Sequence, residues 1–171
     1  MITGNWQKEA KERQKTFLQL LKKLNQPGGK NQRNKILNLL PDVHEEAFEK
    51  IDCLECANCC KNHSPRFKQP DITRIAKRLG IKEGTLIARY LLLDEENDYV
   101  TRTTPCPFLA ADNTCQIYED RPGDCKRYPY TDEDVLLKRT TITLKNTMVC
   151  PITFYVMQQI ERACNGPTPR K

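Results

Sequence analysis

The sequence holds no uninterrupted apolar run approaching the roughly 18 residues of a membrane span, and its opening stretch, Met1 to Arg13, holds none long enough for a secretory leader. The expectation is a cytoplasmic protein without a membrane partner. Also missing are a glycine-rich cofactor loop, an internal repeat, a low-complexity segment and any C-x2-C pair among the later cysteines, Cys106, Cys115, Cys125 and Cys150. The last absence sets the chain apart from zinc ribbons and fingers, whose paired knuckles supply two ligands each. With two histidines and no His/Glu companion set of the kind catalytic zinc sites use, no catalytic constellation is visible, and enzymatic activity stays open.

Cysteine, by contrast, is plentiful. There are nine, and Cys53, Cys56, Cys59 and Cys60 fall within the eight residues C-L-E-C-A-N-C-C. Cytoplasmic thiols are kept reduced and an odd number cannot pair completely, so metal binding accounts for them better than a disulfide framework does. The spacing C-x2-C-x2-C is that of the first three ligands of the bacterial ferredoxin run, whose fourth cysteine precedes a proline. Here the fourth thiol is Cys60 or one farther along, and Cys106 and Cys150 are followed by Pro107 and Pro151. Adjacent Cys59 and Cys60 leave a regular backbone in different directions, so both need not serve one centre.

Twenty-eight Lys and Arg against 22 Asp and Glu give a net charge of +6. Four thiolates on a dication carry a charge near −2, and Lys61, Arg66, Lys126 and Arg127 flank the cysteines to offset it. The basic excess therefore requires no polyanion, and a nucleic-acid partner is not expected. A chain of 171 residues, 38% hydrophobic and 29% charged, suits one soluble domain with an appended arm.

Along the chain, Trp6, Ala10, Phe17, Leu20, Leu21 and Leu24 recur at helical spacing, interrupted at Arg13. Pro27, Gly28 and Gly29 end that helix. A second helix is expected from about Asn31 to Leu40, and Pro41, with Asp42, Glu45 and Glu46 behind it, reads as the first position of a third. After the cysteine run, two short helices around Gly80 each bury one face, through Ile72, Ile75, Ala76 and Leu79, then Leu86, Ile87, Tyr90 and Leu91. Arg74, Lys77, Arg78 and Arg89 give this pair the look of a helix-turn-helix, but any tight helical hairpin has glycine at its turn, and a scaffold is the expectation. Residues 99–130 read as short strands and turns, residues 135–145 as an extended piece, and Pro151 opens a last helix to about Cys164.

With C-L-E-C-A-N-C-C, T-P-C-P-F-L, C-Q-I-Y-E-D-R-P-G-D-C-K-R-Y-P and the late C-P in hand, the chain resembles the YkgJ-type cysteine-cluster proteins, a family of CxxCxxCC zinc- or iron-chelating domains, over about residues 50–160. The resemblance implies eight metal-site cysteines: Cys53, Cys56, Cys59, Cys60, Cys106, Cys115, Cys125 and Cys150. Flagellin lysine N-methylases carry a similar cluster associated with iron–sulfur binding, which tilts the expected cofactor toward an iron–sulfur cluster such as [4Fe–4S] over Zn2+. Eight thiols exceed what one centre needs, leaving either two four-thiolate sites or one site with supporting thiols.

The expected fold is α+β and mostly helical, a small metal-stabilised cysteine-cluster domain with irregular loops and short strands. It divides into a helical extension over 1–50, the cluster domain over 51–164 and a flexible tail over 165–171. Cys164 reads as a core residue, Phe108 as core, His44 as helix surface, and His63 as an alternative zinc ligand. Arg121 is expected to pair with Asp120 or Glu119, and Tyr118, Tyr128 and Tyr130 to pack around the metal loops. The leading function is a cytoplasmic metal-binding protein with an iron–sulfur cluster or zinc on its thiolates and a redox or electron-transfer role with iron. The rivals are a structural-zinc module whose helical arm recruits protein or RNA, and a metal-dependent enzyme or methyltransferase-associated component.

Overall fold

The computed structural model describes residues 5–166, so the last five residues of the expected tail, 167–171, lie outside the described residues. In chain order the helices are α1 (Trp6–Glu12), α2 (Gln14–Asn25), α3 (Lys30–Lys50), α4 (Cys53–Cys56), α5 (Asn58–Asn62), α6 (Gln69–Leu79), α7 (Glu83–Tyr90), α8 (Gly123–Arg127), α9 (Val135–Lys138), α10 (Thr140–Val149) and α11 (Pro151–Asn165). Three short strands, β1 (Arg66–Phe67), β2 (Leu91–Leu93) and β3 (Tyr99–Thr101), form an antiparallel sheet in the order β1-β3-β2. The fold is thus mostly helical α+β. The chain forms two compact units: residues up to Asp52 together with those from Pro129 onward, and Cys53–Tyr128.

Among the described residues the regular elements of the first unit are all helical. The apolar stripe of α2 puts Phe17, Leu20, Leu21 and Leu24 inside, where the Phe17 ring meets Phe154 of α11 edge-on at 6.1 Å. Burying side chains of this size stabilises by about 1.5–3 kcal/mol each. The single helix expected over this stretch is divided at Arg13, which sits at the C-cap of α1 and the N-cap of α2. Gly29 is required because a Cβ there would lie 2.3 Å from the Lys23 carbonyl oxygen.

Two expectations for this unit change. Pro41 does not start a helix; it lies inside the continuous α3. A mid-helix proline forfeits one hydrogen bond and costs about 3 kcal/mol, and the buried face of Ile36, Leu40, Val43 and Ala47 on either side offsets that loss. The segment expected to be extended, residues 135–145, is helical in α9 and α10. Its β-branched residues favour strands only weakly, and packing overrides that preference. Thr143 and Thr147 are buried, with their hydroxyls donating to the carbonyls of Leu136 at 2.6 Å and Leu144 at 2.7 Å.

The second unit is built on the α6–α7 hairpin. Gly80 ends α6 in the left-handed conformation at φ 65°, which lets the amide of Ile81 return to the Ala76 carbonyl at 3.1 Å. Ile72, Ile75 and Ala76 of α6 and Leu86 of α7 then close on Phe67, Leu91, Phe108 and Ile117. Phe108 is core, as its sequence context indicated. The β2–β3 hairpin turns on Asp94, whose carboxylate Oδ1 accepts the amides of Glu96 and Asp98, both at 2.9 Å. The helical faces of α6 and α7 are therefore spent on the core. Cys106 and Cys115 pack against its edge.

Candidate metal centre

Helices α4 and α5 are too short to stand alone and are joined by Ala57, which is buried and left-handed at φ 45°. That conformation costs an L-residue roughly 1–2 kcal/mol, and its amide bond to the Cys53 carbonyl at 2.7 Å helps to hold it. The bend sets Cys53 and Cys56 on α4 and Cys59 and Cys60 on α5. The Cys59 and Cys60 sulfurs stand 3.9 Å apart, in hydrogen-bonding contact.

From Cys60 the arrangement reaches into the later motifs. The Cys106 amide donates to the Cys60 carbonyl at 2.8 Å. Cys106 opens a turn closed by the Leu109 amide on its carbonyl at 3.0 Å, and Cys115 opens a matching turn closed by Tyr118 at 3.2 Å. In each turn backbone amides also point at the sulfur: those of Phe108 and Leu109 at Cys106, and that of Ile117 at Cys115. Such N–H···S bonds favour the thiolate. The two turns are stitched together by the Leu109–Cys115 bridge and by the Gln116 amide on the Phe108 carbonyl at 2.9 Å. Cys125 arrives on α8, which Arg66 anchors by donating from Nε to Asp124 at 2.9 Å.

Electrostatics show which thiols share a neighbourhood. Cys60 is drawn down to about 7, chiefly by the hydrogen bond from Cys59 and also by Lys61. Burial pushes Cys106 up to about 11, with the charges of Cys60 and Cys115 adding to it. Burial pushes Cys125 up to about 12, and Cys106, Cys60 and Cys115 all raise it further. Cys115 is raised by burial and by Cys60, while the Arg121 guanidinium eases both Cys115 and Cys125. Four thiols, Cys60, Cys106, Cys115 and Cys125, thus repel one another once ionised, which is the condition a bound cation relieves.

The donor set suits the chemistry of a thiophilic metal: four partly buried sulfurs, three of them with pKa values raised chiefly by burial. Among the described residues no three His, Cys, Asp or Glu side chains converge closely enough to hold a metal ion as they stand. All nine cysteines are thiols. Of the eight expected at the metal, Cys59 touches Cys60, Cys53 and Cys56 lie on α4, and Cys150 belongs to the other unit, buried at the junction of α10 and α11. Cys164, also in that unit, lines a cavity of about 320 Å3 beside Gln32.

Other residues are placed as follows. His63 follows α5, and its buried Nε2 has no hydrogen-bond partner; burial lowers its pKa. His44 is half-buried and bonds Thr131 at 2.8 Å, a contact that its helical position in the sequence did not indicate. Arg121 lies 3.8 Å over the Tyr118 ring and donates to the Tyr118 carbonyl at 2.7 Å, while the Asp120 carboxylate faces Arg74 and Arg78. Tyr118 is 52% exposed. Asp71 and Arg74, which hold the loop between Cys115 and Cys125, were not legible as site residues: a first-turn acid and a basic helical residue read as ordinary helix surface.

A family model described as "CxxCxxCC: Putative zinc- or iron-chelating domain" matches residues 52–151, more than half of the chain. No curated protein matches the chain. No solved structure does either.

Proposed function

We propose, for a chain that belongs to the CxxCxxCC family of zinc- or iron-chelating domains, that it is a cytoplasmic metal-binding protein whose principal centre is formed by Cys60, Cys106, Cys115 and Cys125. The observation that carries this reading is that four thiols from three separate stretches of chain lie within one another's fields. Cys60 ionises first and offers the initial thiolate. The amides of Phe108, Leu109 and Ile117 orient the lone pairs of Cys106 and Cys115, the apolar core shields their inner side, and Arg121 offsets charge at Cys115 and Cys125. Cys53, Cys56 and Cys59 supply further thiols beside Cys60, and Cys59 supports Cys60 directly.

When bound, the metal supplies either a cross-link that stabilises an apolar-poor loop region, as Zn2+ does, or one-electron chemistry, as an iron–sulfur cluster does. The C-x2-C-x2-C spacing and the N–H···S bonds favour the cluster. The zinc reading is favoured by the quartet drawing only one thiol, Cys60, from that run. Anaerobic purification followed by metal, acid-labile sulfide and visible-absorption analysis tests the proposal. Brown protein with iron and sulfide in comparable amounts supports the cluster, colourless protein with stoichiometric zinc supports the structural site, and protein that takes up neither metal overturns both.

A further inference from the structure

Two residues outside the thiol set grip the segment that carries Cys115 and Cys125. Arg74 of α6 spreads its guanidinium over the backbone of that loop. Nη2 donates to the Arg121 carbonyl at 2.9 Å, and Nε and Nη2 donate to the Asp120 carbonyl at 3.3 and 3.2 Å. The same Nη2 reaches Asp71 Oδ1 at 2.8 Å. Oδ1 in turn accepts the Gly123 amide at 3.2 Å, while Oδ2 accepts the Lys68 amide at 3.0 Å. Asp71 is only 7% exposed. A carboxylate is kept out of water at a net cost unless it is paired and hydrogen-bonded, and here both conditions are met by the loop it holds.

The loop needs such a grip. Between Cys115 and Cys125 only Ile117 and Pro122 are buried, so apolar packing does little to order it. Helix α6 is fixed independently by Ile72, Ile75 and Ala76 in the core, and the Asp71–Arg74 pair passes that rigidity to the backbone at residues 120–123. Cys115 lies five positions before Asp120 and Cys125 two after Gly123. Holding this turn therefore sets the separation and facing of the two sulfurs. It also fixes the backbone from which Arg121 extends its charge toward both thiols.

We propose that Asp71 and Arg74 are positioning residues of the thiolate centre, setting the 120–123 turn so that Cys115 and Cys125 face one metal; this rests on the metal-binding reading above. Arginine is required at position 74 because a planar fork serves three acceptors at once, and a lysine ammonium has no fixed geometry with which to do so. Loss of a group that orients metal ligands typically lowers affinity about 10–100-fold.

The test measures Zn2+ affinity by competition with a chromophoric chelator, together with the absorption spectrum of the Co2+-loaded chain. Far-UV circular dichroism of the metal-free proteins serves as the folding control. Arg74→Lys and Asp71→Asn are each expected to lose about 10–100-fold in Zn2+ affinity and to weaken the sulfur-to-cobalt absorption, with helical content kept. Arg78→Gln, which removes only a 3.9 Å approach to the Asp120 carboxylate, is expected to bind as the parent does. Adding Arg74→Lys to Cys125→Ser is expected to cost little more than Cys125→Ser alone, because both act on one arrangement. Folded Arg74→Lys with parental affinity and spectrum overturns the inference alone. A parent chain that binds neither Zn2+ nor Co2+ overturns the metal reading and the inference with it.

Discussion

The amide of Cys106 donates to the carbonyl of Cys60 across 2.8 Å, so the crowded cysteine run and the first of the later cysteine motifs are joined through backbone before any cation is considered. That bond supports the proposed centre at the inner end of the run rather than along its C-x2-C-x2-C spacing. Cys60→Ser and Cys106→Ser are each expected to lower Zn2+ affinity by about 10-fold or more. Cys56→Ser, whose thiol does not enter the mutual electrostatics of the quartet, is expected to lower it less. Chelator competition on the three variants checks the ranking.

The metal-free protein should lose stability as pH rises. Cys106, Cys115 and Cys125 have folded pKa values above the ordinary thiol value of 9.0. Their contribution is full below about pH 9 and is lost as pH climbs through the folded values, because the unfolded chain ionises first. Cys60 acts in the opposite sense: its folded value is about 7, so its contribution is present above pH 9 and fades as pH falls through 7. Above pH 9 the Cys60 contribution no longer changes, so the three raised thiols set the trend and the thermal midpoint of metal-free protein should drop between pH 9 and 11. Metal-loaded protein, with thiolates already coordinated, should show a flatter profile over the same range.

Cys164 separates packing from ligation. It lies beside Gln32, with Nε2 to sulfur 3.6 Å, at the wall of a cavity in the helical unit, and burial raises its pKa. Cys164→Ala should leave metal stoichiometry unchanged and cost about 1 kcal/mol or less. Elemental analysis and denaturant unfolding measure both. Equal metal loss in this variant and in Cys125→Ser would count against the assignment.

Gly80 offers a test of the hairpin that carries Asp71 and Arg74. A Cβ there meets nothing within 4 Å, so the cost of Gly80→Ala is the left-handed backbone at φ 65° alone, about 1–2 kcal/mol. Chemical denaturation should show that loss with metal stoichiometry unchanged.

The parts legible in the sequence were those specified locally. Gly80 between two apolar stripes announces the α6–α7 hairpin, and Phe108, read as core, is core. What escaped is set by distant partners. Pro41 reads as a helix start because its local chemistry favours one, yet the buried stripe on both sides carries the helix through it. The threonines at 140, 141 and 143 read as strand, yet α10 buries Thr143 against the Leu136 carbonyl. The cysteine run reads at once as a candidate metal site, whereas the grouping proposed for Cys60 with Cys106, Cys115 and Cys125 is not legible there, since folded turns bring those residues together. No spacing rule encodes that arrangement.

X-ray absorption at the metal edge of protein loaded under anaerobic conditions tests the central assignment most directly. A shell of four sulfur donors is predicted for the parent, falling to three sulfurs and one lighter donor in Cys125→Ser and staying at four in Cys164→Ala. A full four-sulfur shell in Cys125→Ser would contradict the assignment of Cys60, Cys106, Cys115 and Cys125 to one centre.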